Sequence, residues 1–297
     1  MANLKEVRER IGSVQNTRQI TSAMKMVSAA KMSRAAQRIT EMRPYALKLN
    51  EMLTNILSNL EGDASTSFNQ VRPVGKACMV VVTSSRGLAG AFNTNVIKAA
   101  VQAIEEDLKG AASLDIICIG KKGAEYFRRN YGKRPGVTIN VEYQELFQDL
   151  SFDNTKQVPE LIMNRFAAGV YDRVYVAYSL FKNAAVQFAR AEQFLPVEDK
   201  QADKEKKKTK ADYIFEPSKE VLLKELVPTI LKTTFQSYLL DTNASEHGAR
   251  MTAMDKATEN ASELLKELKI SYNKARQEAI TTEILEIVSG AAALEAG

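Results

Sequence analysis

Apolar residues recur at steps of three and four along both ends of the chain. Clear examples are Leu4, Val7, Ile11 and Val14 near the start, and Ala257, Ala261, Leu264 and Leu268 towards the end. This spacing places a narrow apolar seam along one face of a helix. It predicts helical segments at residues 1–60 and 218–297, well beyond the usual helix length of about 10–14 residues. We expect the two segments to bury their seams on each other as a long antiparallel coiled coil.

The middle of the chain has short apolar runs that do not alternate with polar residues. KACMVVV from position 76, LDIICI from 114 and VYVAYSLF from 174 are typical of strands covered on both faces. Amphipathic stretches separate them, and this order of elements predicts a Rossmann-like α/β domain with a mostly parallel sheet at residues 75–215. Cys78 and Cys118 lie inside two of these runs and are expected to be buried and reduced.

A lysine-rich stretch at residues 198–210 lies near the end of this inserted domain. It has no apolar anchor, so we expect a flexible, solvated loop. The alternative is a contact with an acidic partner or with lipid headgroups.

Composition excludes some functions and leaves others open. The net charge is +5, tryptophan is absent and aromatic residues make up 7% of the chain. No window interleaves basic and aromatic residues as single-strand nucleic-acid binders do. The first residues lack the apolar core of a secretory signal, and no long uncharged apolar run exists, so we expect an intracellular protein that does not itself span a membrane.

Motifs for bound phosphate or metal are also missing. The chain contains no GxxxxGK[ST] loop, and SSRGLAG after the first inner strand has glycines only at 87 and 90. The single histidine, His247, has no cysteine nearby, and we expect it on the exposed surface of the C-terminal helix. We therefore predict no metal, no cofactor and no catalytic residue.

Two segments of the terminal helices point to partner proteins, although simpler explanations exist. Residues 21–37 consist mostly of Ala, Ser and Met, which suits either a packed coiled-coil face or a bearing surface that meets several partner geometries. The nearly uncharged end IVSGAAALEAG either frays or lies in an apolar sleeve of a partner. From the residues alone, a static coiled-coil scaffold ranks first, and a nucleotide-binding α/β enzyme with coiled-coil arms is a further possibility.

Three long motifs resemble one family in the right order along the chain. They are SVQNTRQITSAMKMVSAAKM from position 13, SSRGLAGAFN from 84, and ASEHGARMTAMDKAT followed by YNKARQEAITTEILEIVSGAAA from 244 onwards. The chain resembles the gamma subunit, or central stalk, of F-type ATP synthases. The resemblance implies a rotor that transmits torque between a membrane c ring and a ring of alpha and beta subunits, and so couples ion translocation to ATP synthesis or hydrolysis.

The resemblance also implies partners and contact residues. Met24 and Lys25, together with Arg250, Gln277 and Thr281, match positions where the family meets beta subunits. Tyr213 and Glu216 match the foot segment that faces the c ring and the epsilon subunit. The implied protein is non-catalytic, binds neither nucleic acid nor nucleotide directly, and is a peripheral protein on the cytoplasmic face of the bacterial inner membrane, held there through the c ring only.

One departure from the family pattern concerns regulation. GLAGAFN stands where relatives often have GLCGGLN, and the loop at 198–210 has no cysteine pair of the kind that chloroplast relatives use. Redox control by that route is therefore not expected.

Overall fold

The computed structural model of the chain describes residues 4–58, 68–197 and 219–295. Both ends are single long helices, as the apolar seams predict. Helix α1 spans Leu4–Ser58 with 55 residues, and helix α6 spans Lys219–Glu295 with 77 residues. Each helix continues through an internal proline, Pro44 in α1 and Pro228 in α6, although a proline removes one backbone donor.

The packing divides the chain into two units. One unit consists of Met1–Ser28 with Met251–Gly297, and the other of Ala29–Arg250. Each long helix therefore contributes one part to the helical unit and another part to the unit that holds the sheet. The predicted division of helical ends from the inserted domain, at residues 60, 75, 215 and 218, stays a prediction.

In the helical unit, α1 and α6 run antiparallel. Thr258 donates a hydrogen bond from its hydroxyl to the Thr21 hydroxyl at 2.8 Å, and Arg8 donates to the Tyr272 hydroxyl at 2.7 Å. The partner numbers fall along α6 as they rise along α1, which is the order that an antiparallel pair requires. Val7, Ala261 and Leu265 are buried in this unit. The predicted antiparallel coiled coil is confirmed.

The second unit is built on a five-stranded sheet in the order β3-β2-β1-β4-β5. The first four strands are parallel, and β5 pairs antiparallel with β4. The elements between the long helices are β1 Lys76–Val82, α2 Phe92–Glu106, β2 Ser113–Ile119, α3 Lys121–Tyr131, β3 Val137–Asn140, a 3-10 turn Leu146–Gln148, α4 Phe152–Thr155, α5 Gln157–Ala167, β4 Arg173–Phe181 and β5 Gln187–Leu195. The mostly parallel, Rossmann-like sheet predicted from the sequence is confirmed.

Apolar side chains cover both faces of the sheet. Alternate residues of β1 enter separate clusters, with Cys78 and Val80 on one face and Met79 and Val81 on the other. The first cluster also takes in α5 and residues of α1 and α6, including Ile39. The second takes in α2 and α3. Because both faces are covered there, β1, β2 and β4 are mainly apolar instead of alternating, as predicted.

Both cysteines are free thiols buried in these clusters, as predicted. Burial strongly raises the pKa of the Cys78 thiol, and it raises that of Cys118 to about 12. Both thiols therefore stay protonated at neutral pH, which removes the thiolate needed for nucleophilic or redox chemistry.

Candidate partner-binding surfaces

Helix α6 contacts the end of β4 and the turn after β1, beside the crevice in which sheets of this type usually bind ligands. That crevice lies at the carboxyl ends of adjacent strands where the strand order reverses, here between β1 and β4. The Thr242 hydroxyl accepts a hydrogen bond from the backbone N–H of Ser179 at 3.2 Å, and the Ser245 hydroxyl donates to the Ser179 carbonyl at 3.2 Å. The backbone N–H and C=O groups of Ser179 are therefore already hydrogen-bonded to side chains of α6.

A buried carboxylate extends this contact along α6. Asp241 accepts a hydrogen bond from the backbone N–H of Phe181 at 3.4 Å and lies 3.7 Å from the Arg43 guanidinium of α1. Burial raises the Asp241 pKa to about 6, and the nearby Arg43 opposes that shift. The carboxylate joins α1, the end of β4 and α6.

The turn after β1 carries the SSRGLAG motif and is held by its own side chains. The Asn93 carboxamide oxygen accepts a hydrogen bond from the backbone N–H of Ser84 at 2.9 Å, and the Ser84 hydroxyl donates to the Arg86 carbonyl at 2.6 Å. Gly90 has a φ of 57°, in the region that glycine adopts without strain, and Leu88 has a φ of 62°. The glycine at position 90 therefore serves the turn's backbone.

Arg250 joins this turn to α6. Its guanidinium lies 2.7 Å from the Glu246 carboxylate and donates to the carbonyls of Arg86 and Gly87, each at 3.4 Å. Arg250 and Glu246 are both buried, with 8% of each residue exposed. Burial raises the pKa of Glu246, and the charge of Arg250 opposes that rise. The predicted contact of Arg250 with a beta subunit stays a prediction, and within the chain this side chain already has partners.

The prediction for His247 was wrong, because it is half-buried and not on an exposed helix surface. Its Nδ1 atom lies 3.5 Å from Arg250 Nη1, in the contact between α6 and the turn after β1. Burial lowers the His247 pKa to about 4, and the positive charges of Arg250 and of Lys31 on α1 add to the shift. The sequence showed a helix here but not what packs against it.

This environment predicts a specific acid sensitivity. The His247 pKa lies below its usual value, so the folded state keeps the ring neutral while the unfolded chain binds a proton below about pH 6.5. The stability contributed by His247 is therefore complete above pH 6.5 and is lost as the pH falls towards 4. We expect His247→Gln to flatten this part of the pH profile, measured by urea unfolding at a series of pH values. An unchanged profile in the variant would contradict the assignment.

Met24 and Lys25 lie on α1 within the helical unit. Both are partly buried, and the Lys25 ammonium forms a 2.5 Å ion pair with Asp255 of α6. Three large apolar side chains close to them in sequence stand in solvent: Ile20, Met26 and Val27, exposed by 60%, 65% and 57%. This part of α1 offers an apolar outer face beside a charged pair that belongs to the helix contact.

Gln277 and Thr281 lie near the end of α6, where the helix has an uncovered apolar surface. Both are exposed, and the Thr281 hydroxyl donates to the Gln277 carbonyl at 2.9 Å. Every described side chain from 276 to 292 is exposed. The large apolar members are Ile280, Ile284, Leu285, Ile287 and Val288, exposed by 47% to 66%. A contiguous apolar surface of this kind marks an interaction site.

The remaining predicted sites lie outside the residues that the structure describes. Tyr213, Glu216 and the lysine-rich stretch at 198–210 lie outside the described residues. None of the helices in the described ranges is long and apolar enough to cross a lipid bilayer. Within those ranges, no group of three or more His, Cys, Asp or Glu side chains could hold a metal ion.

The polar contacts of α6 with the sheet were missed by the sequence reasoning. The apolar seam of the helix is interrupted between Leu240 and Met251, where no large apolar residue occurs and where Thr242, Ser245 and Glu246 lie. Polar side chains at positions that face a core need partners. That interruption was the available signal.

Comparisons with known proteins agree over nearly the whole chain. The profile of a protein family described as ATP synthase matches residues 3–294. The ATP synthase gamma chain of Cytophaga hutchinsonii is 56% identical over 298 residues, covering 99% of both chains. The gamma chain of Flavobacterium psychrophilum is 50% identical, covering 99% of this chain and 100% of that one.

Solved structures share the fold at low sequence identity. A chain from the Euglena gracilis mitochondrial ATP synthase, in an assembly of OSCP, F1 and c-ring, has a TM-score of 0.66 at 20% identity and covers 99% of this chain and 95% of its own length. A chain from the central stalk and c-ring of the Tetrahymena thermophila mitochondrial ATP synthase has a TM-score of 0.56 at 22% identity, with coverage of 80% and 99%.

Proposed function

Since this chain belongs to the ATP synthase gamma-chain family, it is a central-stalk subunit of the rotary complex, and we propose how it transmits torque. The proposal is that the helical unit turns inside a ring of alpha and beta subunits, while the sheet unit connects to the epsilon subunit and the c ring. The chain would be non-catalytic and held at the cytoplasmic face of the bacterial inner membrane through the c ring.

The observation that carries this proposal is the uncovered apolar surface at the end of α6. Five large apolar side chains stand in solvent between positions 280 and 288. Exposure of these side chains to water is unfavourable in the free chain. Insertion of the helix end into an apolar sleeve of a partner would bury them. The polar groups of Gln277 and Thr281 at the start of this surface can then hydrogen-bond with loops of the sleeve.

Torque requires that identical partners experience different contacts at one shaft angle. The helical unit meets this requirement because α1 and α6 present different side chains, with Met26 and Val27 on one helix and Ile284 and Ile287 on the other. Each beta subunit would then face a different surface, and the difference in binding free energy would favour a different conformation of each. Rotation would pass these preferences from one subunit to the next.

Contacts of this kind can supply the difference in binding free energy that is needed to favour one conformation of a beta subunit. Shifting a two-state site from about 1:99 to 99:1 requires roughly 5.5 kcal/mol of differential interaction. Burial of one large aliphatic side chain contributes about 1.5–3 kcal/mol, and one net hydrogen bond about 1 kcal/mol. A few exposed apolar residues and one polar pair are therefore sufficient.

The principal test is assembly. The chain is co-expressed with the alpha and beta subunits of its own species, and the native mass and ATPase rate of the purified complex are measured. We expect three alpha, three beta and one copy of this chain, with ATPase activity that depends on the chain. A partner stoichiometry unrelated to a threefold ring would favour a static scaffold. So would an ATPase rate that does not depend on the presence of this chain.

The Gln277 and Thr281 contacts have a test with a closely matched control. We expect Gln277→Leu with Thr281→Val to lower ATP-driven ion pumping or assembly by about tenfold, because the ring's polar groups lose partners worth about 1–2 kcal/mol. The control is Thr282→Val, since the Thr282 hydroxyl also donates to a carbonyl four residues back, at 2.9 Å. Normal pumping and assembly in the double variant, or equal losses in the control, would reject the assignment.

A further inference from the structure

Helix α3 and the turn after it form the most basic short segment of the sheet unit. Between positions 121 and 134 there are six basic residues and one acidic residue, an excess equal to the net charge of the whole chain. We call this surface the α3 basic face, defined by Arg128, Arg129, Lys133 and Arg134. All four residues are exposed.

The buried side of α3 orients these charges outward. Ala124, Phe127 and Tyr131 pack in the core cluster with α2 and β2. Arg128 and Arg129 directly follow the buried Phe127 and lie about 100° and 200° around the helix from it, and both are exposed. The core contacts thus fix the helix in one orientation, and the charges are presented by a rigid element.

The charges of the α3 basic face lack acidic partners within the described part of the chain. Lys121 pairs with Glu145 at 2.9 Å and Lys122 with Glu125 at 2.7 Å. No ion pair joins Arg128, Arg129 or Lys133 to a described carboxylate. Arg134 stacks over the Tyr131 ring, 4.0 Å from its centroid, and remains exposed.

A groove borders Arg128 and Arg129 of this face. It has a volume of about 550 Å³ and is lined by Lys121, Ala124, Glu125, Arg128, Arg129 and Gln144. Guanidinium groups bind carboxylates in a planar, two-point geometry, which makes them suited to acidic side chains. The groove can therefore take a narrow, negatively charged chain segment.

We propose that the α3 basic face binds an acidic segment of a partner protein, with carboxylates on Arg128 and Arg129. A protein segment fits the surface better than a lipid bilayer does. Surface-binding helices insert large apolar side chains into the membrane, and positions 121–136 present no exposed large hydrophobic residue. A flat headgroup layer also cannot enter a groove. This site is separate from the helical surfaces assigned to torque and does not depend on that role.

The test uses the full chain and a fluorescein-labelled polyglutamate peptide, with binding followed by anisotropy at low and moderate salt. We expect Arg128→Gln with Arg129→Gln to weaken binding at least about tenfold, since two charge-assisted contacts are lost. Arg128→Lys with Arg129→Lys should bind with intermediate affinity, because the charge remains without the planar geometry.

The matched control is Arg34→Gln with Arg38→Gln. It removes the same charge from exposed positions of α1, whose neighbours Ala35 and Ile39 pack on the other face of the sheet. Binding within about twofold of the original chain is expected. Equal losses in both double variants would show a response to net charge alone and overturn the proposal. Phosphatidylglycerol vesicles that bind through Arg128 and Arg129 more tightly than the peptide would also overturn it, in favour of a membrane surface.

Discussion

Replacing Glu246 with alanine will lower the free energy of unfolding by about 3–5 kcal/mol. The substitution leaves the Arg250 guanidinium, 8% exposed, without the carboxylate that lies 2.7 Å away. Its remaining partners are two carbonyls at 3.4 Å, which are long contacts, and the His247 ring. Lys31 adds positive charge nearby, so the local repulsion increases as well. A buried charge without its partner is among the most costly defects that a single substitution creates.

Urea unfolding followed by circular dichroism measures this effect. The control is Glu225→Ala, an exposed position of α6 in the same unit, for which a change within about 0.5 kcal/mol is expected. Glu246→Ala combined with Arg250→Met should recover part of the loss, because neither charge then remains buried alone. If Glu246→Ala unfolds at the same urea concentration as the control, the buried pair does not hold α6 against the turn after β1.

Replacing Ile280, Ile284 and Ile287 with serine will weaken association with the alpha and beta subunits on the order of 100-fold. These side chains are exposed by 47%, 55% and 66% in the free chain, so the substitutions remove little burial there. In the assembled complex the same side chains would be covered, and each serine would forfeit that burial. The thermal unfolding of the free chain should therefore change much less than the affinity, measured by titration of the labelled chain with the alpha and beta subunits.

The matched control replaces Glu278, Glu283 and Glu286 with serine in the same helical segment. Those residues are also exposed, so the variant carries the same number of serines on the same element. We expect assembly close to that of the original chain. Equal losses in both triple variants would mean that helix propensity, and not apolar contact, sets the affinity. No loss in the isoleucine variant would show that the end of α6 is not inserted in the complex.

Local patterns allowed much of the fold to be predicted. The helices α1 and α6 followed from the scarcity of glycine and proline between apolar residues three and four apart, which is a property of neighbouring residues. The parallel sheet followed from apolar runs such as the one containing Val80 and Val81, because alternation disappears when both faces of a strand are covered. The buried thiols of Cys78 and Cys118 followed from the same runs.

The surroundings of individual side chains were harder to predict from the sequence. His247 was expected on an exposed helix surface, and it is half-buried beside Arg250. The helix itself was correct, but its neighbour is a turn some 160 positions earlier in the chain, with Arg86 and Gly87 as the contact points. Periodicity shows which face of a helix is apolar, and it does not show which segment packs there.

By itself, then, the sequence determined the long terminal helices, the α/β insertion and the motifs shared with the gamma-chain family. These depend on backbone preference, local apolar spacing and residue identity along short segments. The tertiary structure alone decided that α6 packs against the end of β4 and the turn after β1, and that this packing buries the pair of Glu246 and Arg250. These features depend on contacts between distant residues, and a pattern of neighbouring residues carries no information on which distant segment will provide the partner.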